Sequence, residues 1–189
     1  MKLPAAHPKV IERARQVLAL DPIFLDTETT GTGPQDLIIE VGIVDLQGEV
    51  LYDGLVNPGV PIPAVSTAVN QITDAMVADA PRWPEVWTKI EPILQKRAVG
   101  IYNAEFDWTM LKQSCQASRL PWTLEDGQAF CMIKLFAAYY GEWNTRHNGF
   151  KSQKLEFAGR ICQIDLPNSH QAVDDARLTA ALLRYLASQ

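Results

Sequence analysis

Long apolar runs are missing from this chain of 189 residues. No stretch approaches the roughly 20 residues needed to cross a bilayer, and Met1-Lys2-Leu3-Pro4 lacks the apolar core of a secretory leader. These absences predict a cytoplasmic protein with no membrane partner. Cysteine is scarce. Cys115, Cys131 and Cys162 are odd in number, widely spaced and form no Cys-x-x-Cys, which predicts buried, reduced thiols rather than a disulfide framework. His7, His147 and His170 show no ligand spacing with one another or with the cysteines, which argues against a zinc site. A dense Lys/Arg patch is absent too, and the net charge is −5, so tight non-specific binding to duplex DNA is not expected. No Gly-x-x-x-x-Gly-Lys phosphate loop occurs. Gly31-Thr32-Gly33 follows a strand, but Asp36 stands where a third glycine belongs and Pro34 spoils the turn into a helix, so a dinucleotide-binding turn is rejected. Internal repeats and low-complexity segments are also lacking.

Apolar residues make up 47% of the chain, enough for one core. Residues 8 to 20 read as a helix with Val10, Ala14, Val17 and Leu18 on one face, ended by Asp21-Pro22. Residues 1–21 are therefore predicted to form a helical extension on a main domain of 22–189. Strands are expected at about 23–27, 37–46 and 49–57, an antiparallel meander turning at Gln47-Gly48. A loop over 58–63 leads to helices near 73–79 and 83–96. A short buried strand follows at 98–102, then a helix over 104–117, a strand near 128–132 and a helix to about 140. The polar stretch 139–153 is expected to be a long loop, and helices at 154–161 and 172–187 complete the chain. This alternation predicts an α/β domain with a mixed five-stranded sheet flanked by helices.

Phe24-Leu25-Asp26-Thr27-Glu28-Thr29-Thr30-Gly31 is the most informative stretch. Residues i and i+2 of a strand point to one side, so Asp26 and Glu28 face one spot. Two unit charges ~5 Å apart repel by about 3 kcal/mol at an effective dielectric near 20. A proton or a cation is the usual remedy; a strand running out into a polar turn is the plainer reading. Two more acids lie on apolar faces. Asp107 shares a helix face with Met110, Leu111 and Ser114, after an Asn103 placed to cap the helix. Asp175 shares a stripe with Ala172, Ala176, Thr179, Leu182, Leu183 and Leu186, whereas Asp174 falls beside Arg177 and suits a surface pair. His170 stands five residues before Asp175, just ahead of that helix.

Asp26-Thr27-Glu28-Thr29-Thr30-Gly31, Asn103-x-x-Phe106-Asp107 and His170-x-Ala172-x-x-Asp175 together resemble the three exonuclease motifs of the DEDDh superfamily, over about residues 22–187. The superfamily includes the proofreading epsilon subunit of bacterial DNA polymerase III and ribonuclease T. The resemblance implies a ribonuclease-H-like fold and a 3′→5′ exonuclease that releases 5′-mononucleotides from single-stranded or frayed DNA. It implies two Mg²⁺ or Mn²⁺ ions on Asp26, Glu28, Asp107 and Asp175, with Asp26 bridging, Asp107 acting through a water and His170 as general base. An imidazole, with an unperturbed pKa of ~6.5, suits that role near neutral pH. It further implies that Thr27 meets the terminal sugar with Thr29 and Thr30 nearby, and that Val69 and Asn70 lie by the terminal base. The stretch Val69-Asn70-Gln71-Ile72-Thr73 departs from the family's His-Gly-Ile-Thr pattern at Asn70 and Gln71. Val69 reads equally as a core residue, and Asn103 equally as a cap or a contact. Nucleic acid with a free 3′ end is the implied partner, with a polymerase subunit as a further one. Trp108, Trp143, Arg146, His147 and Lys151 are candidates for a single-strand channel. An RNA-trimming or oligoribonuclease-type enzyme and an inactive end-binding module are the competing readings. A glycosidase carboxylate pair does not account for four inward acids and a histidine.

Overall fold

Strand β1 (Ile23–Thr29) is buried along nearly its whole length, and its side chains alternate between two cores. The computed structural model describes residues 8–125, 127–146, 148–167 and 169–189. Phe24 points into one core, with residues of the helices α1 (Pro8–Leu18), α6 (Met132–Tyr140), α7 (Leu155–Ile161) and α8 (Ala172–Ser188). Ile23 and Leu25 point into the other, against α4 (Trp83–Leu94) and α5 (Ala104–Ala117). All three are fully buried, each worth about 1.5–3 kcal/mol of apolar transfer.

The sheet is mixed and five-stranded, in the order β3-β2-β1-β4-β5. β2 (Ile38–Val44) and β3 (Val50–Leu55) form the antiparallel meander with β1, while β4 (Val99–Ile101) and β5 (Ala129–Cys131) run parallel to it. Register places Asp26 opposite Gly42 and Glu28 opposite Glu40. β1 pairs with β4 only at Ile23–Val99 and Phe24–Gly100. Beyond residue 24 the two strands are free to part, and a crevice opens at their carboxyl ends, where open α/β sheets hold their ligands.

The N-terminal helix packs on α8, with Ala14 and Val17 buried in the shared core. Two short helices, α2 (Ala64–Asn70) and α3 (Asp74–Val77), lie between β3 and α4 around a small cluster of Ile39, Ile62, Ile72 and Val77. Of these, α2 falls outside the predicted elements. The predicted loop over 139–153 also differs: Trp143–Asn144 (β6) pairs antiparallel with Gly149–Phe150 (β7). Two-residue strands carry too little periodicity to be read from sequence. The three cysteines form no disulfide, and no helix among the described residues is long and apolar enough to cross a membrane.

Candidate active site

The alternation that sorts Phe24 from Ile23 and Leu25 continues into the acids. Asp26 and Glu28 share the face of Phe24, toward α8, and Thr27 shares the face of Leu25, toward α5. Asp175 arrives from the buried first turn of α8, and Asp107 from the buried first turn of α5. A cleft of about 400 Å³ is walled by Asp26, Glu28, Asp107, His170 and Asp175 together. Ligand atoms of Glu28, His170 and Asp175 all lie within 4.8 Å of one another. Among the described residues lining the cleft, Lys154 is the one lysine or arginine, and Glu156 adds a fifth acid.

Electrostatics follow from this crowding. Burial, then the charges of Asp107, Asp175, Glu28 and Glu40, push the Asp26 carboxyl well above the usual range. Glu28 is pushed up to about 8, chiefly by burial and then by Asp175 and Glu40, against a hydrogen bond with Asn70 that lowers it. Asp107 is pushed up to about 7 by burial, partly offset by Thr27 and by its own backbone N–H. Thr27 donates to Asp107 Oδ1 from both its hydroxyl, at 2.8 Å, and its backbone N–H, at 3.1 Å. The leading charges acting on Asp26 and Glu28 are other carboxylates. Such a set of hard oxygen donors with one imidazole fits divalent cations, which would relieve the repulsion outright.

The remaining candidates are placed less uniformly. Thr27 and Asn103 line the cleft. Asn103 is exposed and its side chain makes no capping bond to the helix; only its carbonyl accepts, from the N–H groups of Phe106 and Asp107. Thr29 and Thr30 are buried, and their hydroxyls are used within the chain, donating to the Gly31 carbonyl and to Asp36 Oδ1 at 2.7 Å each. Asn70 is buried, and its Oδ1 accepts from the Ile72 N–H at 3.1 Å. Val69 is 55% exposed in the last turn of α2, so it is not a core residue. The channel reading of Trp108 is corrected: it packs edge-on against Trp122, 5.4 Å between ring centres, in a file with Trp87 and Trp83. Trp143 and Arg146 are exposed, Lys151 pairs with Glu142 at 3.0 Å, and His147 lies outside the described residues. Asp174 takes the surface role expected of it, accepting from Arg177 at 3.5 Å and from Ser169 at 2.8 Å.

Sequence reasoning missed Glu40. It lies on the same face as Glu28, and its Oε2 accepts from the Ala172 N–H at 2.9 Å, which pins the start of α8 to β2. The available signal was an acid within the apolar run Leu37-Ile38-Ile39-Glu40-Val41. Gly42, two residues on, lets α8 come close: a Cβ there would stand 2.3 Å from Val173 N.

An acid-walled crevice at the carboxyl ends of parallel strands in a mixed sheet defines a ribonuclease-H-like nuclease. Comparison with known proteins agrees. The RNase T-type exonuclease family model matches residues 23–183. Over 186 residues the chain is 34% identical to an uncharacterized exonuclease, CP81, of Escherichia phage 186, covering 94% of each. It is 42% identical over 99 residues to a DNA polymerase III subunit epsilon-like protein of Rhodobacter capsulatus, spanning 48% of this chain and 14% of that protein. Among solved structures it resembles exonuclease X in complex with 5′ overhanging duplex DNA, with a TM-score of 0.64 and 26% identity over 88% of this chain and 92% of that one. The chain belongs to this exonuclease family, within the DEDDh superfamily.

Proposed function

We propose that the protein is a divalent-metal-dependent 3′→5′ exonuclease that releases 5′-mononucleotides from single-stranded or frayed DNA. The convergence of Asp26, Glu28, Asp107 and Asp175 with His170 on one cleft carries the reading. Its volume suits a small molecule such as one terminal nucleotide. Asp26, Glu28, Asp107 and Asp175 would hold two Mg²⁺ or Mn²⁺ ions, which polarise the scissile phosphate and offset charge on the attacking and leaving oxygens.

The chain's own residues supply the rest. His170, exposed at the mouth of the cleft, takes a proton from the attacking water as general base. The water oxygen bonds to phosphorus and the bond from phosphorus to the 3′ oxygen of the next nucleotide breaks. That oxygen keeps the electron pair and is protonated, and the freed nucleotide leaves with its phosphate on the 5′ carbon. Thr27 holds Asp107 in place with two hydrogen bonds. Glu40 holds the turn that presents Asp175.

Digestion of 5′-labelled single-stranded DNA and RNA of equal length, with Mg²⁺ or Mn²⁺, tests the reading. We expect a ladder that shortens from the 3′ end, faster on DNA, and is abolished by EDTA and by Asp26→Ala. Internal cuts, or full activity in Asp26→Ala, would refute it. The epsilon-like relative supports a polymerase subunit as a partner, which co-elution with a replicative DNA polymerase's catalytic subunit would reveal.

A further inference from the structure

We propose that the β6–β7 ribbon is a stacking platform for the unpaired strand just upstream of the 3′-terminal nucleotide, with Trp143 and Phe150 as its contact residues. The proposal rests on the exonuclease reading. Trp83, Trp87 and Trp122 stack in a file that Trp108 closes edge-on, whereas Trp143 is 52% exposed and its cross-strand partner Phe150 is 46% exposed. Their rings meet edge to face at 5.2 Å, so each steadies the other while both keep open surface. An adjoining pair of exposed aromatic rings on a folded element offers π-faces on which bases can stack.

The ribbon is rooted in the wall of the catalytic cleft. A two-stranded ribbon alone is marginal, and here Glu142 braces it, accepting from Lys151 Nζ at 3.0 Å and from Gln153 Nε2 at 2.9 Å. The Tyr102 hydroxyl, in the cleft, donates to the Gln153 carbonyl at 2.8 Å, and the next residue, Lys154, lines the cleft as well. Three residues separate Phe150 from Lys154, a reach of at most ~14 Å over four backbone steps, or about four stacked nucleotides at ~3.4 Å each. Residues 142–154 carry Arg146, Lys151 and Lys154 against the single acid Glu142. This is a local positive excess in a chain of net charge −5, and it suits a phosphate backbone. Aromatic faces beside cations are what sequence-tolerant binding of single strands requires.

The test compares two substrates: a 15-nucleotide single-stranded DNA and the p-nitrophenyl ester of thymidine 5′-monophosphate, which has nothing upstream. Trp143→Ala/Phe150→Ala is expected to lose about 5- to 150-fold in kcat/KM on the DNA, the range given by one to three kcal/mol of stacking, mostly through KM. The ester should be cleaved as by the wild type, which also shows that the variant is folded. Trp143→Tyr should keep most activity on the DNA. Equal losses on both substrates, or none on the DNA, would overturn the platform. A wild-type protein inert toward both substrates with Mn²⁺ would instead sink the exonuclease reading beneath it.

Discussion

Gly42→Ala is the most demanding perturbation that the structure suggests. Gly42 lies on β2 under the first turn of α8, and an added Cβ would stand 2.3 Å from Val173 N and 2.4 Å from the Ala172 carbonyl carbon. Ordinary carbon contacts lie near 3.5–4.0 Å, so the helix start must withdraw by about 1 Å. The obstacle is backbone on both sides, and no side chain can swing away. Withdrawal also stretches the bond from the Ala172 N–H to Glu40, now 2.9 Å. Overpacking costs about 1–3 kcal/mol, and a weakened bond to a charged acceptor about 1.5–3 kcal/mol. The two overlap, so we expect a loss of about 2–4 kcal/mol in urea unfolding followed by circular dichroism. Asp175 rides on the same turn, and a shift near 1 Å at a catalytic group costs roughly 100-fold in rate. Gly54→Ala is the control. Its Cβ would first meet the Tyr52 side chain, whose hydroxyl end lies at 3.1–3.4 Å and can shift, and should cost under about 1 kcal/mol with the rate unchanged. A Gly42→Ala protein within about 0.5 kcal/mol of wild type and fully active would refute the close-approach argument.

The folded, metal-free chain holds a proton on Glu28 up to about pH 8 and on Asp107 up to about pH 7 that the unfolded chain has released by about pH 4.5, so its stability falls as pH rises through that range. In EDTA, Tm should be higher at pH 5.5 than at pH 8.5, with Mn²⁺ restoring most of the difference at pH 8.5; a Tm that climbs with pH in EDTA contradicts the crowded-carboxylate picture. Thr27→Val deletes the 2.8 Å hydroxyl bond to Asp107 and should lower kcat about tenfold, by analogy with the loss of ~1.5 kcal/mol of a charge-assisted bond; an unchanged kcat removes Thr27 from the machinery. His170→Ala should lower the rate by ~100-fold or more while calorimetric Mn²⁺ affinity stays nearly intact, and a parallel loss of affinity would make His170 a ligand.

How much of this was legible beforehand depended on the range of the interaction. The period of two along β1 is a local property, and it put Asp26 and Glu28 on one face before any partner was known. The helical period did the same for Asp107 and Asp175, whose stripes are buried as expected. Glu40 was not legible, because its role depends on Ala172, 132 residues away. The tryptophans show the same limit. Trp108 and Trp143 are chemically identical in sequence, yet one is consumed by Trp122 and the other left facing solvent.

The sequence by itself determined which side chains share a face, because strand and helix repeats are set within a few residues. Only the tertiary structure decided which faces meet, how near α8 comes to β2 over Gly42, and which aromatics stay exposed. Those outcomes arise from contacts between segments far apart in the chain, and no local repeat encodes them.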